Sequence, residues 1–577
     1  MDRQGEVTMS TQHLAPTASE LLGPGGAYEL VETDINGVRL PTFKNAPVHL
    51  REYYQAALEW ADATFYVYED ERYTFADAWL QAERVAAALT DLGVKPGDVV
   101  GIAMRNYPEW VWAYMGITAL GAIVVAMNAW WSGEEMMYGI HDSGLKTIFV
   151  DRERLEHLSP YLDEQDLDVI AVRTPHTSGR GVRTWEEFLA TSDGSPKWPD
   201  IAADDHAMIL YTSGSTAHPK GAVSSHRAII HSLLGWEAGA ALARAQAGRP
   251  QRPRESQPSM ILTVPLFHVT GLNGQLLPSF GSGRKVVGMY KWDAEKALAI
   301  IEREGITHFS GVPTMAYELV NSPNYDNYDL SSLRSIGGGG AAMTPKHSQC
   351  IDERSQRKTR ASAAYGMTET NGLAASNAGD NLRQRPTSCG RPMAPLVQMR
   401  IMARDGSEVP RGTTGEIQIK GPMLFSGYWN NPEATADALV DGWLRSGDIG
   451  HMDEEDFVYI TDREKDMIIR GGENIGCPEV EAVIFNHAKV AECAVFGIPD
   501  ERLGETVAAA VMVKPTELLT VGDIQSFVGE HLARFKVPEH VWIYQEHLPR
   551  TASGKIFKRG LRLEALERLK LDEAIAS

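Results

Sequence analysis

Across most of its 577 residues this chain alternates short, β-branched apolar runs with amphipathic helical patterns. Val99–Ala103, Thr147–Val150, Met260–Val264 and Lys285–Val287 read as strands, and Phe75–Leu92 and Asp293–Glu304 as helices. Parallel strands need crossover connections, so this alternation predicts an α/β chain of parallel sheets covered by helices. One hydrophobic core does not grow to this length, so at least two domains are expected. Apolar residues make up 43% and charged residues 23%, as in a globular protein.

The run Val111–Met127 approaches a membrane span in length, but Gly116 and Gly121 interrupt it and it turns β-branched at Ile123. It reads as a buried helix running into a buried strand. The segment 1–47 is polar, lacks a basic region followed by an apolar one, and reads as an N-terminal extension rather than a secretory signal. The four cysteines are widely spaced, with no C-x-x-C pair, which fits a reducing, cytoplasmic setting and gives no zinc or disulfide signal. A net charge of −21 argues against nucleic acid as the main partner. The Arg/Gln/Pro-rich stretch Ala240–Pro258 is expected to be an exposed insertion.

The most specific run is Tyr211-Thr-Ser-Gly-Ser-Thr-Ala-His-Pro-Lys-Gly221, which follows the apolar Ala207–Leu210. Its glycine admits close backbone approach, its hydroxyls and N–H groups suit phosphate, and Lys220 adds a mobile point charge. It is not a Walker A loop, because Pro219 stands where the second glycine belongs and Gly221 where Ser/Thr belongs. Gly337–Gly340 follow a strand-like run and invite a dinucleotide reading, yet no acidic partner lies at the expected distance, and close backbone approach to a ligand is preferred.

The phosphate run resembles that of the adenylate-forming superfamily, which comprises acyl-CoA synthetases, firefly-type luciferases and peptide-synthetase adenylation domains. Pro265–Gly271, Gly337–Ala342, Tyr365–Glu369, Gly415–Gly421, Trp443–Asp448, Asp462–Asp466, Gly471–Ile475 and Pro549–Lys555 are similar to that family's later motifs and occur in its order. The resemblance implies a large N-terminal domain (48–462) of parallel-rich, helix-layered sheets with a small β-barrel-like subdomain. A hinge (463–466) and a small mobile α+β C-terminal domain (467–577) would follow. It also implies ATP and CoA as co-substrates, Mg²⁺ as cofactor, and acyl-AMP formation followed by acyl transfer. In such chemistry the protein positions the reactants and neutralises charge at the α-phosphate and departing pyrophosphate.

By the same resemblance, Lys555 bonds the carboxylate and α-phosphate in the transition state. Thr212 and Glu369 are the magnesium contacts, Thr368 reaches the α-phosphate, and Thr212, Ser213, Gly214, Ser215, Thr216 and Lys220 form the phosphate loop. Tyr365 offers a flat face to adenine, with Gly340, Ala341 and Gly366 close to the nucleotide. Asp448 holds the ribose hydroxyls with Arg463 in support. His268 either gates the acyl channel or is a satisfied core histidine. Lys465 is the hinge residue, and rotation there exchanges Lys555 for Gly471 and Gly472, which complete the thiol tunnel. Asp462 and Cys477 depart from the commonest family residues.

The acyl pocket candidates Val269, Gly271, Gly311, Val312, Met315, Gly338, Gly340, Met367 and Leu373 are small or apolar. They suit aliphatic acids, and Asn128–Trp131 with Pro265–Val269 resemble the bacterial medium- or long-chain fatty acyl-CoA synthetases, which implies a fatty acid, with aryl and sterol side-chain acids open. The stretch after Lys555 is too short for a carrier-protein domain, so a stand-alone ligase using CoA is expected. An acyl-AMP ligase serving a separate carrier, a luciferase-like oxygenase and a silent nucleotide-binding protein are the rivals, and a homodimer is kept open.

Overall fold

In the computed structural model, residues 17–576 are described, apart from 165, 175–180, 193–194, 213–218, 249–256, 342, 464–465, 471–472, 501 and 553. Among these residues the strands form a hairpin and four sheets. The first large sheet runs Gly427–Tyr428, Lys220–Ser225, His206–Thr212, Ile123–Ala126, Val99–Ala103, Thr147–Asp151, Asp168–Val172, Val182–Thr184. It is parallel from His206–Thr212 onward and antiparallel at the Lys220–Ser225 edge. The second runs Arg391–Pro392, Ala375–Ala378, Arg360–Tyr365, Ser335–Gly339, His308–Gly311, Ser259–Leu262, Lys285–Gly288, Thr64–Tyr68, Glu71–Thr74, and is parallel in its interior. The expected strands and helices therefore stand where the hydrophobic pattern placed them, shifted by a residue or two at their ends.

The run Val111–Met127 resolves into helix Pro108–Ala119 and strand Ile123–Ala126. Pro108 opens that helix with its fixed φ, and every helix residue except Glu109 is buried. Helix Phe75–Asp91, held at its start by a Thr74/Asp77 capping box, crosses it closely. A Cβ at Gly116 would lie 2.6 Å from Val85 Cγ1, so only glycine permits this approach. Both helices belong to the core cluster that joins the two sheets. Among the described residues no helix is long and apolar enough to cross a membrane.

Two segments read differently in three dimensions. Within the N-terminal extension, Leu30–Ile35 and Val38–Phe43 pair as a hairpin, and Phe43 N–H donates to His231 Nε2 at 3.2 Å on helix His226–Gln246. Ala240–Gln246, expected in an exposed insertion, form the last turns of that helix, since Ala, Leu, Arg and Gln are good helix formers. Residues 249–256 lie outside the described residues.

An antiparallel sheet of Gln398–Met402, Gly415–Lys420, Trp443–Met452, Leu439–Val440 and Val458–Arg463 completes the large domain. After it, Ile468–Arg470, Glu473–Ile475, Val490–Asp500, Gly504–Val513 and His540–Tyr544 form the sheet of the small α+β domain. The small domain is seated by specific contacts. Cys477 N–H, at the start of helix Cys477–Asn486, donates to Asp462 Oδ2 at 2.7 Å. Phe485, near the end of that helix, packs against Tyr317 and His347 of the large domain, and its carbonyl accepts from Lys346 Nζ at 2.6 Å.

Candidate active site

Strand ends converge between the domains. Thr212 and Tyr365 close the strands His206–Thr212 and Arg360–Tyr365, and Gly340 follows Ser335–Gly339. Ligands of parallel α/β sheets bind outside these carboxyl ends. Gly337 and Gly338 answer the dinucleotide reading. A Cβ at Gly337 would lie 2.0 Å from Ser362 Oγ, and one at Gly338 would lie 2.5 Å from the Gly311 carbonyl oxygen. These two glycines serve contact between neighbouring strands rather than a pyrophosphate turn.

Gly340 differs from them. Its φ is +80°, and a Cβ there would lie 3.3 Å from Lys555 Cε and 3.5 Å from both Lys555 Nζ and Thr270 Oγ1. The small domain thus inserts the Lys555 side chain against the end of a large-domain strand. Burial, with the nearby Arg463 guanidinium, pushes the Lys555 ammonium down to about 8, partly opposed by Asp448. Among the described residues Asp448 offsets part of that charge, and a desolvated ammonium in this position suits an anionic ligand.

Asp448, on Trp443–Met452, is 4% exposed. Its Oδ2 accepts from Tyr365 O–H at 2.6 Å, and its Oδ1 meets Arg463 Nε at 3.3 Å. Burial and this carboxylate push the Tyr365 phenol well above its usual range, so it remains a donor. Glu369 sits buried in the short turn Thr368–Thr370, and its Oε1 accepts from Tyr428 O–H at 2.8 Å. Lys220 Nζ lies 5.1 Å from the Tyr428 ring centroid, and the Lys220 carbonyl accepts from Thr212 Oγ1 at 3.3 Å. Lys220, Thr212, Tyr428 and Glu369 are therefore one connected patch offering oxygen donors and a cation. Gly366 packs tightly, since a Cβ there would lie 2.3 Å from the Gly372 carbonyl oxygen. Ala341 is exposed and Thr368 half-buried at the mouth.

His268 is partly buried, and its Nε2, shut off from solvent, has no hydrogen-bond partner among the described residues. Burial, reinforced by Lys555, drives its imidazole down to about 3, so it is neutral at physiological pH. Its orphaned nitrogen lies in the field of Lys555. It precedes a π-helical turn, Thr270–Leu276, in which Gly274 is exposed although Asn273 and Gln275 on either side are fully buried. A Cβ at Gly274 would meet no atom within 4 Å. Of the pocket candidates, Val312 and Met315 face the Gly554–Lys555 loop, whereas Leu373 is wholly buried in the core around the antiparallel sheet. Ser213, Gly214, Ser215, Thr216, Lys465, Gly471 and Gly472 lie outside the described residues.

Residues 53–429 match the model of the family described as AMP-binding enzyme, and 479–555 match its C-terminal domain. The chain belongs to the AMP-binding enzyme family. Within it the chain is similar to the indoleacetate–CoA ligase of Aromatoleum aromaticum, 34% identical, with 83% of this chain and 91% of that protein covered. It is also similar to the long-chain-fatty-acid–CoA ligase of Bacillus subtilis, 31% identical over 89% of this chain and 93% of that one. An anthranilate CoA ligase solved in complex with anthranoyl-AMP superposes with a TM-score of 0.80 at 25% identity, covering 90% of this chain and 98% of that one. The protein is an enzyme of the acid–thiol ligase class, AMP-forming, with an α/β large domain and a smaller C-terminal domain.

Against this family, sequence reasoning passed over Tyr428, Thr270 and Gly274. Tyr428 orients the Glu369 carboxylate from an edge strand of the first sheet, and no sequence spacing announces a contact across 59 positions. Thr270 lies inside the run Pro265–Gly271, and Gly274 lies three residues beyond it.

Proposed function

We propose that this enzyme activates a carboxylic acid with an uncharged apolar body, a medium- or long-chain fatty acid in the first place, and transfers the acyl group to CoA. The observation that carries the reading is the partly buried Lys555 ammonium against Gly340, with Asp448 and Arg463 nearby. The carboxylate oxygen attacks the α-phosphorus of ATP, the bond to the β-phosphate oxygen breaks, and pyrophosphate leaves. Lys555 stabilises the charge that develops, a role for which a desolvated, preorganised ammonium is suited. Asp448 can accept from both ribose hydroxyls while Tyr365 and Arg463 orient it.

Glu369 and Thr212 fit magnesium by chemistry, since both offer oxygen and Tyr428 fixes the carboxylate. The ion would neutralise phosphate charge there. The CoA thiol then attacks the acyl carbonyl, AMP leaves, and the small domain turns at Lys465 between the two steps.

For the acid, the side chains facing Lys555 and its loop on this side are His268, Thr270, Val312 and Met315, none charged at neutral pH. Thr270 and Gly274 lie four residues apart in the π-turn, and the open space at Gly274 offers room for an acyl chain beyond Lys555. An arylalkanoic acid is the second reading, favoured by the likeness to an indoleacetate ligase. The test is a carboxylate panel with ATP, Mg²⁺ and CoA, following AMP. CoA-dependent turnover rising with aliphatic length supports the first reading, and preference for aryl acids supports the second. Pyrophosphate release indifferent to CoA overturns the assigned acceptor.

A further inference from the structure

Lys555 is carried on a loop that closes on itself. Arg550 and Ile556 form a bridge, Thr551 N–H donates to the Lys555 carbonyl at 2.7 Å, and Gly554 N–H donates to the Thr551 carbonyl at 2.8 Å. Arg550 Nη1 donates to the Gly554 carbonyl at 3.1 Å, directly before the lysine. Gly554 has a φ of +85°, and a Cβ there would lie 3.0 Å from Met315 Cε on helix Pro313–Asn321 of the large domain.

The second arginine nitrogen faces two carboxylates on different domains. Nη2 donates to Glu492 Oε1 at 2.6 Å within the small domain and to Glu318 Oε1 at 3.1 Å on the large one. The other Glu318 oxygen accepts from Trp292 Nε1 at 2.6 Å, and the Trp292 ring packs on Phe309 in the core of the second sheet. A chain of contacts therefore runs from that core through Trp292, Glu318 and Arg550 to the backbone beside Lys555.

We propose that Glu318 is a positioning residue for the adenylate-forming step, seating the Lys555 loop on the large domain through Arg550. The inference rests on the two-step reading above. The pair adds little to fold stability, because both side chains are partly exposed, at 20% and 31%. Its effect is on placement, where about 1 Å of error costs on the order of a hundredfold in rate. Glu492 remains with Arg550 when Glu318 is removed, so the small domain keeps its internal pairing. Acyl transfer, in which Lys555 has left the site, does not need Glu318.

The experiment compares wild type with Glu318→Ala and Glu318→Gln, using an acid on which the wild type turns over. Pyrophosphate release without CoA reads the first step, and thioester formation from supplied acyl-AMP and CoA reads the second. Glu318→Ala is expected to slow the first step about tenfold to a hundredfold and leave the second within about twofold. Glu318→Gln, which keeps an acceptor for Arg550, should recover much of the loss. Adding Glu318→Ala to Lys555→Ala should lower the first step no further. Equal loss in both steps, no loss in either, or a full multiplicative drop in the double variant overturns the inference. A wild type that releases no pyrophosphate with any acid refutes the underlying reading itself, an outcome distinct from an active wild type with unaffected variants.

Discussion

Replacing Lys555 by alanine separates the two half-reactions most sharply. The drop of the Lys555 ammonium from its ordinary 10.5 to about 8 corresponds to roughly 3 kcal/mol against the charged form, at the end of strand Ser335–Gly339. Phosphate and carboxylate oxygens recover that energy as their negative charge builds. Loss of one preorganised stabiliser of this size corresponds to a rate fall of about a hundredfold to a thousandfold. The assay is single-turnover acyl-AMP formation with ATP and the preferred acid in the absence of CoA, followed by quenching and chromatography. A parallel assay supplies acyl-AMP and CoA and follows the thioester. Lys555→Ala should cut the first rate by that factor and leave the second within about twofold. A fall of less than about threefold in the first step, or an equal fall in both, would refute the claim that this ammonium acts at the α-phosphate.

The free enzyme should show an alkaline limb near pH 8 in kcat/KM for ATP, because Lys555 is charged below about 8 and loses its proton above it; a flat profile to pH 10 would contradict this. Tyr428→Phe, which frees the Glu369 carboxylate, should raise the Mg²⁺ concentration required for half-maximal pyrophosphate release by about tenfold, an effect of roughly one charged hydrogen bond. Gly274→Trp should shift preference in the carboxylate panel toward shorter acids, since the indole would fill the open face; an unchanged profile would place the acyl channel elsewhere. Burial pushes the Glu237 carboxyl up to about 7, opposed by Arg284, so the fold prefers it protonated and loses stability as pH rises from about 4.5 through 7. Glu237→Gln should therefore raise the melting temperature at pH 8 and change it little at pH 4, as measured by thermal scans.

Much of the fold was legible because helices and buried strands leave different periodicities. Ile123–Ala126 is β-branched and fully buried, and Phe75–Asp91 shows an apolar stripe, so each declared its type locally. The Arg and Gln of Ala240–Gln246 look like loop composition, whereas helix propensity carries His226–Gln246 through them, with most of these residues still facing solvent. At the site, Lys555, Asp448, Tyr365 and Glu369 announced themselves through motif context, and the structure joins each to a partner or neighbour in the cleft. Tyr428, Glu318 and Trp292 did not, since their roles arise only from contacts between segments remote in sequence. The orphaned nitrogen of His268 also needed three dimensions, because burial and the nearby lysine charge have no sequence signature.

The most direct measurement of the central claim is a burst experiment on the wild-type enzyme with ATP, Mg²⁺ and its preferred acid, with no CoA until a late addition. The account predicts a burst of pyrophosphate approaching one equivalent per chain, with acyl-AMP retained on the protein, then conversion of that acyl-AMP to thioester and AMP on adding CoA. Pyrophosphate release that requires CoA from the outset, or an acyl-AMP that CoA does not consume, would contradict it.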